Sequence, residues 1–99
     1  MTERYLAQDP RAAWRVYDGE AVIISPDDST LHTLNAVGTL IWEAADGKTP
    51  VGAVVGRICD EFEVEPEQAE QDAIAFIEGL RQRGLLVVSD APQAGLEER

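Results

Sequence analysis

WRVYDGEAVIISPDDSTLHTLN, residues 14–35, alternates strand-like runs with turns and closes on a helix cap. Trp14–Tyr17 and Ala21–Ser25 are rich in β-branched and aromatic residues, and Asp18-Gly19 between them suits the positive backbone angles of a tight hairpin turn. Pro26-Asp27-Asp28-Ser29 is a second turn cluster, so Thr30–Leu34 is expected as the third strand of an antiparallel meander. After Asn35, a good N-cap, the apolar period changes from two to helical, with Val37, Leu40, Ile41 and Ala44 at i, i+3, i+4 and i+7.

Downstream the pattern stays helical. Asp46-Gly47 stops the first helix, Thr49 is expected to cap a second with Pro50 in its first turn, and Val51, Val54, Val55, Ile58 and Phe62 form its apolar stripe. A third helix starts near Pro66, places Ala69, Ala73, Phe76, Ile77 and Leu80 on one face, and ends at Arg81, Arg83 and Gly84. Leu85–Val88 either returns as a strand or packs over the core. The order predicts an α+β fold: a three-stranded antiparallel sheet followed by three helices that cover one of its faces. Residues 1–13 and 89–99 read as loose tails flanking a domain over 14–88. A sheet this small leaves its edges open, and Thr30–Leu34 contains neither proline nor lysine to block one, so that strand is open to an added strand.

With 99 residues the chain has room for one hydrophobic core, and 44% apolar composition is enough to form it. The net charge of -11 repels nucleic acid phosphates and anionic lipid headgroups, which predicts partners that are neutral or basic. No apolar run approaches the roughly 20 residues that span a bilayer, and the N-terminus lacks the pattern of a signal peptide, so a cytoplasmic protein is expected. The single cysteine, Cys59, agrees with a reducing compartment.

Leu34-Asn35-Ala36-Val37-Gly38-Thr39-Leu40-Ile41-Trp42-Glu43, followed by Asp46-Gly47, resembles the signature of the PqqD family and of the wider group of precursor-peptide recognition elements. Asp72, Phe76, Ile77, Leu80, Gly84 and Leu85 are similar to that family's third helix and its exit. The resemblance implies a winged-helix-like domain that performs no reaction itself, needs no cofactor, and binds the leader of a ribosomally made peptide. It further implies a partner that does the chemistry: a radical S-adenosylmethionine enzyme or another peptide-modifying enzyme. Carried onto this chain, the peptide edge is Thr30, Leu31, His32, Thr33 and Leu34, and the facing wall is Asp72, Ala75, Phe76 and Gly79. His32 stands where the family often has an aromatic residue, which would change the pocket's shape or make it pH-sensitive.

Other candidates have structural readings. Trp42 is expected in the core, whereas Trp14 could anchor the N-terminal segment, meet a partner or simply pack. His32 is the one histidine and Cys59 the one cysteine, far apart in sequence, so a metal site would rest on carboxylates alone. Asp60, Glu61, Glu63, Glu65, Glu67, Glu70 and Asp72 are either a solvated face or a patch for basic leader residues. A winged-helix regulator would need a basic recognition helix, and the third helix opens with Glu67, Gln68, Glu70, Gln71 and Asp72. An acidic carrier protein would need a serine at a helix start, and Ser29 falls between two predicted strands. The open edge could also pair with a second copy of the chain to give a homodimer.

Overall fold

The computed structural model describes residues 4–90. Its elements are β1 (Tyr5–Gln8), β2 (Ala13–Tyr17), β3 (Glu20–Ile24), β4 (Leu31–Thr33), α1 (Ala36–Glu43), β5 (Asp46–Pro50), α2 (Val51–Phe62), α3 (Pro66–Gln82) and β6 (Leu86–Ser89). The expected meander is present as an antiparallel sheet in the order β2-β3-β4. Its first turn holds Asp18 at φ 53° and Gly19 at φ 80°, the paired left-handed geometry that matches strand twist in a two-residue hairpin. The α+β class and the three helices are as expected.

Three expectations are corrected. The stretch taken as a loose N-terminal tail contributes β1, whose Leu6 is fully buried, and the start of β2. A second antiparallel sheet, β5-β1-β6, brings together the beginning, middle and end of the described chain. Four residues of strand surrounded by polar ones carry too little local pattern to announce themselves; pairing partners more than 35 residues away stabilise them. Thr49 does not cap α2: it belongs to β5, where its N–H and hydroxyl donate to the Asp46 carboxylate, and Pro50 occupies the N-cap position. At the other end, Ser89 closes β6, and residues 91–99 of the expected C-terminal tail lie outside the described residues.

The helix ends follow local chemistry. Asn35 caps α1 by accepting from the Gly38 N–H at 2.8 Å. Glu63, left-handed at φ 53°, ends α2, and Pro66 starts α3 two residues after Val64. Gly84 at φ 78° ends α3 in a Schellman motif, in which Leu85 N–H donates to Leu80 O and Gly84 N–H to Arg81 O. That turn drives Leu85 into the core and starts β6.

The core joins the inner face of the meander to all three helices. Ala21 and Ile23 of β3, Ile41 and Trp42 of α1, Val54 and Ile58 of α2, and Ala73 and Ile77 of α3 are buried together. Burial of Ile41 or Ile58 contributes on the order of 1.5–3 kcal/mol each. Trp42, as expected, is core, and Trp14 packs on it edge-to-face with ring centroids 5.9 Å apart. Thr39 ties α1 to the sheet: its buried hydroxyl oxygen accepts from Ala21 N–H at 2.7 Å and lies 3.4 Å from Leu34 O.

Candidate functional site

β4 is the terminal strand of the meander, and the direction of its unused hydrogen-bonding groups follows from the ladder. Ser25 N–H donates to Thr30 O and Leu34 N–H to Ala21 O, which fixes the two outer hydrogen-bonded pairs. Antiparallel ladders alternate, so Ile23 and His32 form the bonded pair between them, and the N–H and C=O groups of Leu31 and Thr33 point to the open side. Side chains alternate as well. His32 shares the inner face with Ile23 and Trp14, whereas Leu31, 61% exposed, stands on the outer face beside Ile24.

Beside that edge lies a groove of about 460 Å³. One wall is β4 and its exit: Leu31, His32, Thr33 and Leu34. The other is one stripe of α3, Ala75, Phe76, Gly79, Leu80 and Arg83, spaced at helical i+3 and i+4 intervals. Of the residues expected here, seven lie in the groove and two do not. Thr30 is held in the turn before β4, its N–H bonded to the Asp28 carboxylate and its C=O to Ser25. Asp72 lies on the same α3 stripe one turn before Phe76, exposed and accepting from Gln68 Nε2 at 3.0 Å. Leu80 and Arg83 are the lining residues that sequence reasoning missed; each follows an expected wall residue, Phe76 or Gly79, by four positions, the signal that would have found them.

The α3 wall is set by its contact with α1. Gly38 faces the Phe76 ring so closely that a Cβ there would stand 2.7 Å from Phe76 Cε1. A bare backbone at this point lets α1 and α3 approach and leaves Phe76 half-buried at the edge of the groove.

A larger cavity, about 610 Å³, lies between α2, α3 and the other sheet. Leu6, Val51, Val55 and Ile77 line it, with Glu67, Glu70 and Glu78 among the polar lining residues. Leu6 belongs to β1, which is paired on both sides, so β1 offers this cavity apolar contact but no free backbone. Val88, which also lines this cavity, belongs to β6, an outer strand of that sheet; the smaller groove, walled by four consecutive residues of β4 and its exit, is the better fit for an extended chain.

Among the described residues no three His, Cys, Asp or Glu side chains are grouped to hold a metal ion, and no helix is long and apolar enough to cross a membrane. Ser29 sits in the turn between β3 and β4 at φ 60°, away from any helix start, which removes the basis of the carrier reading. The first turns of α3 expose Glu67, Glu70, Gln71 and Asp72, a surface that repels phosphates.

The family model for coenzyme PQQ synthesis protein D (PqqD) matches residues 20–86. Among solved structures, the chain resembles TbiB1 in complex with the TbiA(beta) leader peptide, with a TM-score of 0.74 and 26% identity over 81% of this chain and 93% of that one. It also resembles lasso peptide synthetase B1 complexed with the leader peptide, with a TM-score of 0.71 and 24% identity over 83% of this chain and 96% of that one. No curated protein sequence matches the chain.

Proposed function

The chain belongs to the PqqD family, and on that premise we propose that it binds the leader segment of a ribosomally made precursor peptide and presents it to a separate modifying enzyme. The leader adds as a strand to the open edge of β4 and packs against α3. The observation that carries this reading is the coincidence of free backbone groups on Leu31 and Thr33 with the groove walled by Phe76, Gly79 and Leu80. Two fold relatives are complexes with leader peptides.

Magnitudes say what the groove must add. Leu31 and Thr33 offer one N–H and one C=O each, four groups in all, and net hydrogen bonds of about 0.5–1.5 kcal/mol give roughly 2–6 kcal/mol. Association alone costs on the order of 4–15 kcal/mol. Side-chain burial against Phe76, Leu34 and Leu80 therefore supplies the affinity, and the strand edge supplies register. The module performs no reaction; its partner, a radical S-adenosylmethionine enzyme or another peptide-modifying enzyme, acts on the presented core peptide.

Titrating isotope-labelled protein with synthetic leader peptides of precursors encoded beside it tests this. Saturable amide shifts concentrated at 31–34 and 75–83 are expected. Saturation with shifts confined to the cavity beside Leu6 and Val55, or no saturable shift with any such peptide, would overturn the reading.

A further inference from the structure

We propose that Arg83 reads a carboxylate on the bound leader, so that the groove selects peptides with Asp or Glu at a defined distance from their apolar anchor. The inference rests on the leader-binding reading of this groove and adds the chemistry of its selectivity.

Arg83 lines the groove at the end of α3, and the other lining residues carry no fixed charge. Its Nη1 stands 3.9 Å from where a Cβ on Gly79 would sit, so the guanidinium folds back over the bare backbone of Gly79. Two arginines of the chain are tied down, Arg11 by Asp9 at 3.0 Å and Arg81 by Glu78 at 2.8 Å; Arg83 is set apart from the remaining ones by its place in the groove. Among the described residues the Arg83 guanidinium has neither an ion-pair nor a hydrogen-bond partner. A chain of net charge -11 thus presents an unpartnered planar cation in its strand-accepting groove. Guanidinium binds a carboxylate through two parallel hydrogen bonds, a match that amides and hydroxyls do not reproduce.

Spacing turns this into a sequence rule. The guanidinium stands over Gly79, three positions after Phe76, which at 1.5 Å per residue is about 4.5 Å along the helix. A strand advancing about 3.3 Å per residue covers that in roughly one to two residues, and side chains on one face recur every second residue. The acid therefore lies two positions from the apolar residue that packs on Phe76.

Arg83→Gln and Arg83→Lys, both at an exposed position, are to be titrated with the same leader peptides and with variants in which each acidic residue is replaced singly by its amide. Arg83→Gln should weaken the leader about tenfold, the size of one partly exposed charge-assisted interaction, and flatten the salt dependence. One amide variant of the peptide should lose as much on the wild-type protein and lose nothing further on Arg83→Gln; Arg83→Lys should recover part of the loss. Leader binding unchanged in Arg83→Gln, or losses that add for every acidic position, would overturn the role of Arg83 while leaving the leader site intact. A wild-type protein that binds no leader would remove both.

Discussion

Gly38→Ala is the substitution that tests the link between packing and the groove. The new methyl carbon would lie 2.7 Å from Phe76 Cε1 and 2.8 Å from Cζ, and 3.3 Å from the Asn35 oxygen that caps α1. An ordinary contact needs about 3.5–4.0 Å, so the ring must retreat by roughly 1 Å. It is held by core on the α1 side, and the open direction is the groove. Removing a glycine from a helix gains about 1 kcal/mol, whereas overpacking costs about 1–3 kcal/mol, so the net loss of stability should be about 0–2 kcal/mol. Leader affinity should fall further, about tenfold or more, because the displaced ring occupies the space of the peptide's anchor. Gly56→Ala is the control: nothing lies within 4 Å of its Cβ, and α2 should gain about 0.5–1 kcal/mol. Urea denaturation and peptide titration on the three proteins provide both numbers. If Gly38→Ala is as stable as Gly56→Ala and binds leader within twofold of wild type, the α1–α3 contact does not shape the groove.

Leu31→Pro removes an N–H from the open side of β4 while sparing the Ile23–His32 pair, so leader binding should weaken with the denaturation midpoint nearly unchanged; intact affinity would take that edge out of the site. Ile41→Ala should cost about 2–5 kcal/mol in urea denaturation, since the side chain is fully buried, and a loss below about 1 kcal/mol would mean that the core closes over the gap. The Asp46 carboxyl is held below its usual range, first by the Lys48 N–H and then by hydrogen bonds from Thr49. Its contribution is therefore full above the unfolded value near 4 and lost as pH falls through the lower folded value. Asp46→Asn should cost under about 1 kcal/mol at pH 7, and less at pH 2–3; a gap that widens on acidification would refute this.

Local chemistry made much of the fold legible. Asp18-Gly19, Asn35, Pro66 and Gly84 act through backbone angles and caps within a few residues of themselves, and the turns and helix ends they predict are present. The stripes of α2 and α3 announced their buried faces because a helix repeats every 3.6 residues whatever it packs against. The open β4 edge was legible from the strand pattern, whereas Phe76 and Gly79 as lining of the groove beside it came from the family resemblance.

What the sequence by itself determined is therefore the β2-β3-β4 meander, the three helices with their inward faces, and an unblocked β4. The tertiary structure alone decided three things. It made residues 5–8 a strand, because β5 and β6 supply hydrogen bonds that no local pattern announces. It put Thr30 outside the groove, because hydrogen bonds to Asp28 and Ser25 hold it in the turn, and it put Asp72 outside and Arg83 inside, because helix rotation is set by side-chain volumes at the contacts, among them the missing side chain of Gly38. And it left Leu31 and Thr33, not His32, with free backbone groups, because ladder alternation is fixed by register, and register depends on which residues of two strands meet.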